Sequence, residues 1–431
     1  MTEPQLVLTV FLTVYLAQTT LQQSLEGLNR RYSRQQGNVV PAPFEGFIDP
    51  ARLAQIRAYT DSRSFLRSAH SLTSDLLLLA VILSGFLPAF EQMLAAWHLP
   101  FMLAGLLFFL VPGLILALAE LPFDYYQTFV IEERFGFNRS SLRTWLTDCL
   151  KTGLFSLVLS AVLLSLLFWS IDRSPALWWL WGFCLVSLVQ IVLALLYPVL
   201  IAPLFNTFAP IEDERLAAKI NRLMEENGIR VKKVLQMDAA TRSQHTNAYF
   251  TGFGKTKQIV LYDTLLQTHP DDEILAVLAH EAGHWRKKHV LKQLFLFAAA
   301  TLLVFYLSHR LLDWPELDLA FGFETAKSYV SLFLLMIFWQ KAGYFLLPLY
   351  MALSRRYERQ ADAFAAVMLQ DPTPLARALK RMAADNLSNL SPHPLYVIFN
   401  YSHPPLLERV RELEHDGWKP VPSSLLQGPQ I

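Results

Sequence analysis

Apolar runs of about twenty residues recur near 6–24, 76–97, 99–120, 152–171, 176–200, 290–312 and 328–353, the length a helix needs to cross a hydrocarbon core of roughly 30 Å. In lipid each backbone N–H and C=O must be satisfied within the protein, so such a chain folds as a multi-pass α-helical membrane protein with seven spans. The first run is interrupted by Thr and Gln, and its only preceding charge is Glu3; without the Lys or Arg that opens a secretory leader, it reads as an uncleaved span. Composition agrees. Of 431 residues 53% are hydrophobic and the mean hydropathy is +0.30, too apolar for an ordinary soluble enzyme but ample for membrane helices plus a folded domain. The 37 Lys+Arg against 36 Asp+Glu leave no basic surface for nucleic acid. Cys149 and Cys184 are the only cysteines, so any metal must be held by His and carboxylates.

Basic residues set the expected orientation. Arg30, Arg31, Arg34, Arg52, Arg57, Arg63 and Arg67 follow the first span, whereas the joint between the second and third has only His98. The first large loop is therefore expected in the cytoplasm. Alternation then puts Arg134, Arg139, Arg143 and Lys151 inside, the Arg173 joint outside, and the stretches 201–289 and 354–431 inside. This gives an expected division into five spans (1–200), a catalytic segment (201–289), two further spans (290–353), a second catalytic segment (354–419) and a disordered tail (420–431). In the first long stretch Leu216, Ile220 and Leu223 recur at helical spacing up to Asn227-Gly228, a helix-ending pair. Two β-prone runs, Asn247–Thr251 and Gln258–Tyr262, flank a turn on Gly252 and Gly254 and predict a small sheet. From Pro270 the pattern is helical, with Asp271, Asp272 and Glu273 at the positive end of the dipole.

That helix carries His280-Glu281-Ala282-Gly283-His284. Histidines one helical turn apart can share one tetrahedral Zn²⁺, and the intervening glutamate can act as general base toward a water. Ala282 and Gly283 are small enough to leave room for substrate over the metal. A catalytic zinc needs a third protein ligand. Lys287 and Val290 stand where a downstream Gly and His would complete the set on the same segment, and His289 falls about 180° round a continued helix from His280, an interfacial position. Glu358, in SRRYERQADAFAA just after the last span, is the better candidate, because two crossings return the chain to the side it left. Asp362 follows at i+4, suited to accept an imidazole N–H. The alternative is a solvated charged face with Arg355, Arg356 and Arg359.

HEAGHW, SRRYERQADAFA, QHTNAYFTGFG, IEERFGFNRSS and YSHPPLLERV, in this setting of seven spans, resemble the CAAX prenyl protease type I family of integral-membrane zinc metallopeptidases. The resemblance implies a ring of seven helices around a large water-filled chamber, closed at its cytoplasmic end by a small α+β zincin-like domain with one Zn²⁺ per chain. It implies His280, His284 and Glu358 as zinc ligands, Glu281 as general base and Asp362 as supporting carboxylate. It also implies Asn247, Ala248, Tyr249 and Phe250 as the edge along which a peptide substrate lies by main-chain hydrogen bonds. His403 and Arg409 would sit near the scissile bond or the substrate carboxylate, the alternative for Arg409 being a surface salt bridge. The implied substrate is a protein with a C-terminal prenyl cysteine.

The C-terminal SSLLQGPQI lacks the basic retrieval tail expected of endoplasmic-reticulum members and points to a bacterial relative in the inner membrane. Hydrolysis requires a solvated interior, which Glu91, Glu120 and Lys341 could line, since charge facing lipid costs several kcal/mol; helix-end snorkelling is the alternative for Glu120. Two rival functions share parts of this pattern. One is a quality-control metalloprotease indifferent to a prenyl group, the other a transporter or channel with a regulatory metal, which has no need of a glutamate beside the first ligand.

Overall fold

The structure, a computed structural model, describes residues 2–414 apart from 37, 252–257 and 326. The turn on Gly252 and Gly254 and the tail 420–431 lie outside the described residues. Seven helices among those described are long and apolar enough to cross a membrane, and the fold is the expected multi-pass bundle with a small sheet. Helix α1 (Glu3–Gln36) is followed by α2 (Pro50–Leu83), the short α3 (Phe86–Ala96) and α4 (Phe101–Tyr126), which passes through a π-helical turn to Glu132. Helices α5 (Leu142–Arg173) and α6 (Trp178–Leu196) complete the first five spans.

The second span differs from the expected 76–97. Gly85 takes a left-handed φ of 78° and ends the run, a conformation favourable to glycine. The crossing helix is instead α2, which starts at Pro50, where the Asp49 side chain accepts from the Arg52 N–H at 2.6 Å. The arginines expected in a loop lie on the C-terminal part of α1 and the N-terminal half of α2, and three of them find helix-to-helix partners. Arg30 and Arg34 pair with Asp61 at 3.2 and 2.7 Å, and Arg67 pairs with the buried Glu26 at 3.4 Å.

Beyond the fifth span, β1 (Phe208–Pro210), the amphipathic α7 (Glu214–Glu226), β2 (Lys233–Met237), β3 (Ala248–Thr251) and β4 (Gln258–Tyr262) build a four-stranded sheet of order β1-β2-β4-β3. The β2–β4 pair is parallel and the others antiparallel. Central β4 buries Ile259, Val260 and Leu261, and β3 lies at the edge. After α8 (Asp263–Thr268) comes α9 (Asp271–Arg286), whose Ile274, Leu278 and Ala282 join one core with Ile220 and Met224 of α7 and Leu261 of β4. Helix α10 (His289–Leu311), the short α11 (Pro315–Leu319), and α12 (Ser328–Gly343) continued by α13 (Leu347–Leu369) return the chain to α9. The spans from α12 into α13 form a single 42-residue rod. Helices α14 (Thr373–Asp385), α15 (Pro394–Asn400) and α16 (Leu406–Glu414) finish the described chain.

The bundle walls a chamber of about 1400 Å³ lined by Leu110, Leu114 and Leu157 together with Glu120, Asp124 and Asp148. Glu120 thus faces the interior. Glu91 is buried and accepts from the Tyr329 hydroxyl at 3.2 Å. Lys341 is buried between Asp75 and Gln18 and sits 4.3 Å from the Tyr15 ring centroid, so it ties helices together and is absent from the chamber lining.

Candidate metal centre

Helix α9 presents His280 and His284 on one face, and α13 crosses it closely enough to bring Glu358 to both. A Cβ built on Gly283 would fall 2.9 Å from the Ala361 Cα and 3.1 Å from its carbonyl oxygen. The sequence suggested that Ala282 and Gly283 leave room for substrate; in the structure they serve helix approach instead, with Ala282 wholly buried. Glu358 Oε2 lies 3.4 Å from His280 Nε2, Glu358 Oε1 lies 3.2 Å from His284 Nε2, and the two Nε2 atoms are 3.1 Å apart. One donor atom from each of the three residues falls within 4.8 Å of the others. Glu358 Oε2 is buried with no hydrogen-bond partner, a costly arrangement that a cation between the three donors relieves. Three convergent N and O donors and an orphaned carboxylate oxygen fit a metal ion.

Each histidine is held from behind. Asp362 Oδ1 is 2.7 Å from His280 Nδ1. Arg409 grips the same carboxylate through Nε at 2.8 Å and Nη2 at 2.6 Å, while its Nη1 stays 3.8 Å from Glu358. Arg409 is buried, which excludes the surface salt bridge considered above. The other histidine is backed by a residue that the sequence reading placed at an interface. His289 is 1% exposed, its Nδ1 lies 3.1 Å from His284 Nδ1, its Nε2 lies 3.0 Å from Gln360 Oε1, and its ring stacks on Tyr357 at 4.3 Å. Helical extrapolation failed because α9 ends at Arg286 and Lys288 turns with φ 56° before α10 starts. The signal that could have found it was a third histidine five residues beyond the second, in a turn-prone Lys-Lys context.

The site opens on a cavity of about 490 Å³ lined by Asn247, His280, Glu281, His403 and Arg409. His403 presents a largely exposed ring with Nε2 3.4 Å from Glu358 Oε1. Asn247 precedes β3, accepting the Ala248 N–H on its side chain at 2.8 Å and the Tyr262 N–H on its carbonyl at 3.1 Å. Ala248 turns into the core, and Tyr249 and Phe250 are half-buried on the edge strand. Burial raises the Glu281 pKa above the usual carboxylate value, with the neighbouring histidines opposing. Burial alone would lower the His280 pKa, but the carboxylates of Asp362 and Glu358 outweigh it and raise it to about 9. Such a proton-hungry donor set is one in which a divalent cation replaces the proton.

Seven membrane helices joined to a domain that sets three metal donors beside a buried carboxylate define a multi-pass membrane metallopeptidase. Residues 29–207 match the family described as CAAX prenyl protease N-terminal, five membrane helices, and residues 210–416 match peptidase family M48. CAAX prenyl protease 1 homolog of Arabidopsis thaliana is 35% identical over 88% of this chain and 91% of its own length. CAAX prenyl protease 1 of Saccharomyces cerevisiae is 35% identical over 90% of this chain and 85% of its own. The crystal structure of S. mikatae Ste24p superposes with a TM-score of 0.88 at 29% identity, covering 96% of this chain and all of that one. The chain belongs to the CAAX prenyl protease 1 family and is a metalloendopeptidase of the membrane.

Proposed function

We infer that the metal is a single Zn²⁺ held by His280, His284 and Glu358, and that the enzyme hydrolyses peptide bonds near the C-terminus of prenylated CAAX-type proteins. The Glu358 carboxylate, with Oε2 lacking a hydrogen bond and its two oxygens each facing one imidazole nitrogen, supports the ligand set, and the names of the relatives support the substrate. When bound, the zinc supplies Lewis acidity toward the scissile carbonyl and the attacking water. Asp362 accepts the Nδ1–H of His280 and leaves its Nε2 lone pair for the metal, with Arg409 fixing that carboxylate. Gln360 Oε1 accepts the Nε2–H of His289, so His289 Nδ1 accepts from His284 and frees the second Nε2 in the same way.

Glu281 takes a proton from the attacking water and delivers it to the leaving amine; its raised pKa brings it nearer the working range of a general base. His403, exposed to the cavity, donates to the oxyanion, while the Arg409 fork is taken up by Asp362. The substrate main chain adds to the edge strand from Asn247 through Ala248, Tyr249 and Phe250. The catalytic segments 201–289 and 354–419 act on the cytoplasmic face, in keeping with the basic ends of α1 and α2.

The test is cleavage of a farnesylated peptide and its unmodified twin by the purified protein, with metal content measured in parallel. One zinc per chain, loss of turnover with chelator, and a Glu281→Gln variant that keeps zinc but loses ~10³-fold or more in kcat are expected. Full activity of Glu281→Gln would overturn the assignment of the base. Equal cleavage of both peptides would move the substrate to unprenylated membrane proteins.

A further inference from the structure

Between the metal-site cavity and the chamber lies a third cavity of about 430 Å³. It shares Asn386, Ser388, Asn389 and Tyr401 with the wall of the metal-site cavity, and Arg63, Arg67 and His245 with the wall of the chamber. This neck joins the two larger spaces. Its chemistry differs from both. Its lining holds two arginines and a histidine, and no Asp or Glu.

The two arginines are available in different degrees. Arg67 is anchored through Nη1 to Glu26 and the Tyr396 hydroxyl, and its side chain still exposes 49% of its surface. Arg63 leans over the Tyr59 ring at 5.3 Å and feels the charge of Glu132, whose carboxylate is held by the Tyr59 hydroxyl at 2.8 Å and faces His245 Nε2 at 3.4 Å, but among the described residues it makes no ion pair within 4 Å. The rest of the wall is fixed. His245 stacks on Phe137 at 4.1 Å and reaches Asn386 Oδ1 through Nδ1 at 3.1 Å, and Asn386 also accepts the Thr246 N–H at 3.1 Å. Two guanidinium groups one helical turn apart on α2, lining one partly enclosed wall, are a site for a carboxylate.

The chain itself bounds the separation of the two cavity walls. Asn247 lines the metal-site cavity and His245 lines the neck; two residues of backbone span at most ~7 Å. A substrate laid beside β3 with its scissile bond at the metal would carry the next two or three residues to the neck. We propose that Arg63 and Arg67 bind the C-terminal carboxylate of the substrate there, so that the enzyme sets its cut by counting from the chain end. The proposal rests on the peptidase reading above and deepens it: the C-terminus points toward the chamber, and the released peptide leaves through it.

The test compares two internally quenched farnesylated peptides, identical except that one ends in a free carboxylate and the other in an amide. Wild-type protein should favour the acid by about ten-fold or more in kcat/KM. The ratio should fall to near one in Arg63→Ala and recover in part in Arg63→Lys. Equal wild-type rates on acid and amide, or an unchanged ratio in Arg63→Ala, would overturn the proposal. A second measurement needs no turnover: equilibrium binding of the tripeptide acid and its amide to Glu281→Gln protein. Tighter binding of the acid, lost in Arg63→Ala, supports the carboxylate site even if no chelator-sensitive cleavage is found, a result that would sink the peptidase reading alone. No preference for the acid overturns the carboxylate site even if cleavage is robust.

Discussion

The metal centre and the Lys341–Asp75 cluster both bury charge, and they differ in what is left over. In the bundle, Lys341 meets Asp75, Gln18 at 2.9 Å and the Tyr15 ring, and Asp75 Oδ2 accepts from the Thr19 hydroxyl at 2.6 Å. Donors and acceptors are matched inside the protein, and the cluster binds α1, α2 and α12 into one wall. In the metal centre Asp362 is matched as fully, by His280 and Arg409, but Glu358 keeps a buried oxygen without a hydrogen-bond partner. Buried charge that is completely paired holds a fold together; buried charge left one partner short marks where the fold expects a ligand.

The contrast breaks most sharply at Glu358. Glu358→Gln should abolish turnover and also the rise in apparent thermal midpoint that added Zn²⁺ produces in the wild type, since binding to the folded state alone is what stabilises it. A zinc-dependent rise of wild-type size in Glu358→Gln would remove this residue from the ligand set. Lys341→Met should act in the opposite way, lowering stability by about 3–5 kcal/mol whether or not zinc is present, because it strands Asp75. The double variant Lys341→Met/Asp75→Leu should recover most of that loss, and a double variant as unstable as the single would show that the pair is not the source. A smaller effect belongs to His289. His289→Ala should leave the fold intact and weaken zinc affinity by about 10–100-fold in a chelator competition, with unchanged affinity as the result that would deny it a role in holding His284.

What could be read from sequence follows from what depends on local period. His280, Glu281 and His284 share a helix whose start and polarity are fixed by Pro270 and three acidic residues, so their common face was legible. Glu358 and Asp362 were legible through topology, because the last two spans had to return the chain to the same side. The role of Gly283 was not, since it depends on Ala361 of a partner helix. Neither was His289, whose position depends on one left-handed residue, Lys288. The long α2 was hidden because its first half is charged, and only the pairing of Arg30 and Arg34 with Asp61 and of Arg67 with Glu26 explains why a helix persists there. Arg63 and Arg67 looked like topogenic charge alone; the neck that gives them another use exists only once α2 stands beside the 386–401 segment.

Within the soluble domain a second pair of histidines extends the comparison to pH. His280 is charged by its carboxylates, whereas His269 is buried against α9 and has its pKa pushed down to about 4, chiefly by burial, with Glu273 opposing and Arg381 assisting. The unfolded chain takes up a proton at His269 as the pH drops below about 6.5, and the folded chain does not until about 4. Its contribution to stability is therefore complete above pH 6.5 and is lost as the pH falls across that window, on the order of 3 kcal/mol in all. In metal-free protein His280 runs the other way, contributing below about 6.5 and losing that contribution as the pH rises through about 9. In zinc-loaded protein the second term becomes the pH dependence of metal binding, so the His269 contribution is read as the difference in apparent thermal midpoint between wild type and His269→Gln at each pH from 7.5 to 5, in which the shared metal term cancels. His269→Gln should flatten the fall on acidification relative to wild type. An equally steep fall would place the acid sensitivity in other groups.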